Sequence, residues 1–196
     1  MPLIRRGQRR GVSPYAPTRK VMVASLLVFV GFAALALAAC VSTPPASTTT
    51  QGEGFAIYLT AGDIPVSQME ALSHVEVADT PVISETDIVS YHWDTHEIEL
   101  TAEAVKRLEN LQVPTSGKTF VVCVDRQPVY WGAFWASYSS QSFDGITIMV
   151  SPLLPGPRTI RIGQGYPGNS FFKGEDPRNN PLIEEVLARD HKLASS

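Results

Sequence analysis

Six residues, Thr119 to Val124 (TFVVCV), are the most strand-like stretch of the sequence, and they limit its fold more than any other segment. Successive side chains of a strand point to opposite faces, so a nearly continuous apolar run must be covered on both sides. Such a strand belongs inside a sheet. Asp125, Arg126, Gln127 and Pro128 then turn the chain. Val129 to Trp135 (VYWGAFW) is expected to return as a hairpin partner, with Val129, Trp131, Ala133 and Trp135 on one face and Tyr130 and Phe134 on the other.

The surrounding sequence supplies further strands and two helices. Phe55 to Thr60 (FAIYLT) reads as a first strand ending at Gly62-Asp63, and Pro65 is placed to open a short helix through Leu72. Val75 to Ala78 and Val82-Ile83 are short extended pieces, and Ser84 caps a helical turn through Asp87. Ile88 to Trp93 and Glu97 to Leu100 flank a tight turn at Asp94-Thr95. A helix follows with Thr101 as cap, Glu103 in its first turn, and Ala104, Leu108 and Leu111 on the buried face. Asp144-Gly145 opens a strand from Ile146 to Val150, and Pro152, Pro155 and Pro157 break it. Thr159 to Ile162 is another strand, Gly163 to Arg178 is loop-like, and Asn180-Pro181 starts a helix with Leu182, Ile183, Val186 and Leu187 clustered on one side. At 196 residues, 44% of them hydrophobic, the chain can bury one core and not two large ones. The expectation is an α+β domain over residues 55–196, a mainly antiparallel sheet with helices packed on one face and a ferredoxin-like layout as its special case.

The first 54 residues stand apart. Residues 21–39 (VMVASLLVFVGFAALALAA) are apolar and uncharged behind a segment holding Arg5, Arg6, Arg9, Arg10, Arg19 and Lys20. The run closes on Leu37, Ala38, Ala39 and Cys40, which resembles the lipobox of bacterial lipoproteins. That resemblance implies a signal peptide over 1–39, a diacylglyceryl group on the Cys40 thiol and cleavage just before it. The alternative is an uncleaved anchor, since 19 residues at about 1.5 Å each nearly cross a ~30 Å hydrocarbon layer. Both readings keep the basic flank inside and place the remainder outside the cytoplasm, attached to the cell membrane. Val41 after the cysteine favours the outer membrane in a cell that has one. From there to Gly54 the sequence is rich in Ser, Thr, Pro and Gly, so residues 40–54 read as the lipidated cysteine and a flexible tether. Six of the 16 basic residues precede residue 40; ten remain against 19 acidic ones, a formal charge of −9 that disfavours nucleic acid as a partner.

Four phrases in order resemble the first extracytoplasmic, or head, domain of the SecD translocation protein: FAIYLTA at Phe55 to Ala61, TPVISETDIVS at Thr80 to Ser90, IELTAEAVKRLENL at Ile98 to Leu111 and FVVCVDRQPVY at Phe120 to Tyr130. The resemblance spans roughly Phe55 to Val150 and implies a fold and a tendency to contact polypeptide. It supplies no catalytic residue. Arg126 stands where that family has a turn glycine, and no apolar span follows residue 40, so the proton-coupled membrane machinery of that family is not implied here.

Three constellations bear on chemistry. His92, Asp94 and His96 are the densest set of metal-ligand types, but they straddle a turn, and a solvated hairpin tip is the preferred reading over a metal site. The loop Ser137 to Ser142 lacks a G-x-S-x-G elbow, and neither His74 nor His191 has a spacing that ties it to a serine. Cys123 lies in the apolar strand, where a thiol acts as a small hydrophobe, so no internal disulfide is expected. The aromatic group Tyr130, Trp131, Phe134, Trp135 and Tyr138 is the candidate binding surface, because one face of that strand offers a stacking platform unless both are covered. The expected function is a membrane-anchored, non-enzymatic module for polypeptide or other envelope components, without cofactor. An exported metal-dependent or serine hydrolase, using the His92 hairpin or the serine loop, is the alternative.

Overall fold

The computed structural model of the protein describes residues 52–151 and 158–194. The elements run β1 (Phe55–Leu59), β2 (Ile88–His92), β3 (Glu97–Leu100), α1 (Ala102–Glu109), β4 (Lys118–Val124), β5 (Gln127–Ala136), β6 (Phe143–Ser151), β7 (Thr159–Tyr166) and α2 (Pro181–Arg189). Cys40, the signal peptide, most of the tether and the prolines after Ser151 lie outside the described residues.

The strands form one seven-stranded sheet in the order β1-β4-β5-β6-β7-β3-β2. All its pairs are antiparallel except β5 with β6. The domain is α+β, as its sequence implies. The order of elements departs from the βαββαβ of a ferredoxin-like layout, because four strands follow α1 before the second helix. β7 joins two parts of the sheet: Thr159 to Arg161 pair with β3, and Ile162 to Tyr166 pair with β6.

The apolar strand β4 is enclosed on both faces. Phe120 and Val122 point into the main core with Phe55, Ile57, Tyr130, Phe134 and Ile148, covered by Ala104 and Leu108 of α1 and by Ile183, Val186 and Leu187 of α2. Val121 and Cys123 point the other way into a smaller cluster with Tyr58 and Val75. Ile64, Met69, Leu72, Val77 and Trp131 close that side. The cover there is an irregular segment with short 3-10 turns at Val66–Gln68 and Leu72–His74, where the sequence predicts a short helix. Each fully buried large side chain contributes ~1.5–3 kcal/mol, so covering both faces stabilises β4 strongly.

Local signals explain the helix starts. Thr101 Oγ1 accepts from the Ala104 N–H at 3.3 Å, and Asn180 Oδ1 accepts from the Leu182 N–H at 3.0 Å ahead of Pro181. Leu182, expected on the buried side, is 56% exposed. One helical step rotates it about 100° from Ile183, whose partners at i+3 and i+4 define the buried stripe. At Ser84 the Asp87 carboxylate accepts from both the backbone N–H and the hydroxyl, closing the expected turn.

Two places needed more than the sequence pattern. The β4–β5 turn holds Asp125 and Arg126 at φ 47° and 67°, a left-handed pair normally favouring glycine. Arg126 is steadied there by its guanidinium over the Tyr58 ring, 5.5 Å from the centroid. At Gly132 the neighbouring strand approaches so closely that a Cβ would lie 2.5 Å from the Ile146 carbonyl oxygen.

Candidate functional site

Two concavities collect the chemistry-bearing residues. The larger, about 600 Å³, is a polar cleft walled by the β2–β3 turn, β7 and the segment leading to α2. The turn is longer than expected, running from Trp93 to His96, and His96 takes φ 52°. Its carbonyl accepts from the Ile162 N–H at 2.9 Å, which laces the turn to β7. The His96 ring is packed edge-on against Tyr91 and Trp93, with Nδ1 3.0 Å from the Tyr91 hydroxyl.

Burial, and then the nearby Arg178 guanidinium, hold His96 below the usual histidine range, so it is neutral at neutral pH. Burial also raises the Tyr91 hydroxyl, which stays protonated. Arg178 reaches back over β7: Nη1 donates to the Ile162 carbonyl at 2.7 Å, while Nε and Nη2 donate to the two oxygens of Asp176 at 2.8 and 2.7 Å. This two-point pair holds the Asp176 carboxyl below its ordinary value. Nearby lies Tyr130, almost fully enclosed, whose hydroxyl has no hydrogen-bond partner among the described residues.

Of the hairpin set, Asp94 and His96 line the cleft, while His92 is exposed on β2 and does not. Among the described residues no three His, Cys, Asp or Glu side chains are grouped to hold a metal ion. Among the described residues the cleft wall carries Thr95 as its one hydroxyl side chain and no serine or cysteine. The serine loop is elsewhere, and Ser139 is committed within it, donating to the Thr115 carbonyl at 2.5 Å and accepting from the Gln141 N–H at 3.1 Å. The His92 hairpin and the serine loop, the two separate options of the hydrolase alternative, thus lie in different places, and the hairpin set is itself divided.

The second concavity, about 380 Å³, is an aromatic groove. Trp135 stacks on Phe143 with centroids 5.1 Å apart and planes 8° from parallel, and Trp131 meets the same Phe143 at 6.0 Å. Pro65 and Val66 form part of the lining, with Ser67, Ser116, Gln141 and Ser142 beside them. The Trp135 Nε1–H is enclosed and has no acceptor among the described residues. Gly117, at φ 81°, lies against that indole, where a Cβ would come within 2.3 Å of the ring.

The aromatic candidates divide accordingly. Tyr130 and Phe134 belong to the core under the helices and are not surface, because that face of β5 is covered. Trp135 is 2% exposed and forms the buried back of the groove. Trp131 and Phe143 are half-buried and keep part of their rings open. Tyr138 is 67% exposed and stands outside the groove lining.

Sequence reasoning missed Gln164, Asn169, Asp176, Arg178 and Asn179 of the cleft. The last four come from a stretch without hydrophobic period, and a cluster of Asn and Asp there is also what a plain loop contains. Phe143 was missed as well, because β6 starts three residues before its apolar run. Among the described residues no helix is long and apolar enough to cross a membrane. No family model, no curated protein and no solved structure matches the chain.

Proposed function

We propose that the protein is an extracytoplasmic lipoprotein, joined to the membrane through Cys40 and carrying on a short tether a non-catalytic module that holds a segment of polypeptide in the aromatic groove. The open faces of Trp131 and Phe143 beside uncommitted polar groups carry this reading. An extended peptide alternates apolar side chains with backbone carbonyls and N–H groups. The rings take the former, and the side chains of Ser116, Gln141 and Ser142, none of which bonds to another group among the described residues, take the latter. The likeness of Phe55 to Val150 to the SecD head domain agrees with contact to polypeptide, and the apolar run ending in LAAC agrees with the lipid anchor.

A photo-crosslinking residue at Ser142, an exposed position lining the groove, tests the module in intact cells. The expected result is a protein adduct that falls at least tenfold when Trp131→Ala and Phe143→Ala are combined. An adduct unchanged by those substitutions removes the groove from the account. Mass spectrometry of the native amino terminus tests the anchor separately: the expected mature chain starts at Cys40 and bears acyl mass, and a terminus upstream of Cys40 without acyl mass overturns it.

A further inference from the structure

The polar cleft has a use that the groove does not explain. Of its charged side chains Arg178 is paired with Asp176 and Arg161 with Glu97, which leaves the Asp94 carboxylate as the one without an ion pair among the described residues and leaves no free cation for an anion. The acidic body repels anions at a distance, and no metal-binding group of side chains is present among the described residues. What remains is a set of uncommitted polar groups. Asp94, Thr95, Gln164, Asn169 and Asn179 converge on the cleft from separate segments, and none of their side chains bonds to another group among the described residues. Amide side chains both donate and accept, which is also what a hydroxyl does. Neutral His96 is held through Nδ1 by Tyr91 and forms part of the cleft lining, its Nε2 without a hydrogen-bond partner among the described residues. Trp93 adds an aromatic wall beside these polar groups.

We infer that this cleft is a binding site for a neutral saccharide. Ring hydroxyls meet Asn169, Asn179, Gln164 and the Asp94 carboxylate, and the apolar face of the sugar lies on Trp93. The volume lies within the ~300–1,000 Å³ of small-molecule sites. The polar lining selects a ligand rich in hydrogen-bonding groups over an apolar one.

The test is titration of the detergent-solubilised full chain with maltotriose, cellotriose and chitotriose, read by calorimetry and tryptophan fluorescence. At least one is expected to bind. Asn169→Ala and Asn179→Ala, both exposed, each weaken that binding roughly threefold to tenfold, the effect of one neutral hydrogen bond. Trp131→Ala, in the groove, leaves it unchanged, so failure of the polypeptide reading and failure of this one are separable. Absence of binding by all three sugars up to their solubility, or binding indifferent to both asparagine variants, overturns the inference. Inorganic phosphate or zinc competing for the same residues overturns it as well.

Discussion

Tyr91 and Tyr130 are both buried, and removing their hydroxyls should move stability in opposite directions. The Tyr130 hydroxyl is enclosed without a partner among the described residues, whereas in the unfolded chain it is hydrated. An unsatisfied buried polar group costs ~1–3 kcal/mol, so Tyr130→Phe should raise unfolding free energy by about 1 kcal/mol or more while leaving ring packing intact. Tyr91 differs because its hydroxyl pairs with His96 Nδ1 at 3.0 Å. Tyr91→Phe loses a bond worth ~1 kcal/mol and leaves the histidine nitrogen unsatisfied, for a total of about 1–3 kcal/mol in the destabilising direction. With a urea slope of ~2 kcal/mol/M, the midpoints should separate by roughly 1–2 M, Tyr130→Phe above the parent and Tyr91→Phe below it. Equilibrium urea unfolding followed by far-ultraviolet circular dichroism measures both. A fall in midpoint for Tyr130→Phe would refute the reasoning, because it would mean that the hydroxyl is satisfied in solution by a buried water.

Three further outcomes follow from the same physics. Gly132→Ala should lower stability by ~1–3 kcal/mol or more in thermal unfolding, since its Cβ would meet a carbonyl oxygen at 2.5 Å and the Phe120 ring at 2.6 Å; an unchanged midpoint would show that β6 can move away. Burial raises the Cys123 thiol to about 11, so a thiol-specific reagent at pH 8 should label it only after denaturation, and rapid native labelling contradicts its placement. Burial alone would raise the Asp87 carboxyl, but hydrogen bonds from Arg107 and from Ser84 outweigh it and hold it below the usual range; Asp125 is held down chiefly by Arg189, and Asp176 by Arg178. With folded values below the unfolded ~3.9, these groups contribute stability above that pH and lose it as pH falls through their lower folded values. Asp87→Asn should therefore flatten the acid limb of melting temperature against pH, and an acid limb of unchanged slope would count against that carboxylate.

The parts of the fold visible in the sequence are those set by local patterns. TFVVCV announces a strand buried on both faces, and Thr101 and Asn180-Pro181 announce two helices, because apolar period and capping chemistry are local. The parallel pairing of β5 with β6 is not visible: Gly132↔Ile146 is a contact across the sheet, made close by a glycine that in sequence only weakens a strand. β7 runs on to Tyr166 through Gly163, Gln164 and Gly165, whose composition has no strand signature, since the ladder to β6 supplies the order. The site divides the same way. Trp131 and Trp135 are conspicuous in the sequence, but which of them stays open depends on Phe143 and on the segment at Pro65. His96 and Asp94 are conspicuous too, yet their neighbours in the cleft come from about seventy to eighty positions further on, brought back by β7 and Arg178.

The sheet edges bear on the proposal that binding falls to the concavities. An open edge strand invites a partner to add a strand through backbone hydrogen bonds. Here both edges are met by the chain itself. At β1 the Ile57 N–H donates to the Ile83 carbonyl at 2.8 Å, and the Ala78 N–H donates to the Leu59 carbonyl at 2.9 Å. At β2 the Tyr91 N–H donates to the Lys192 carbonyl at 2.7 Å, the Tyr91 carbonyl accepts from the Ala194 N–H at 2.9 Å, and the Lys192 ammonium reaches the Ile88 carbonyl at 2.9 Å. A polypeptide adding to either edge would first have to displace these bonds, each of which contributes ~0.5–1.5 kcal/mol. Side-chain surfaces need no such displacement. β7 contributes to both concavities, with Gln164 in the cleft and Tyr166 packed against Trp135 at 5.8 Å behind the groove, so one strand fixes the geometry of a polar and an aromatic lining.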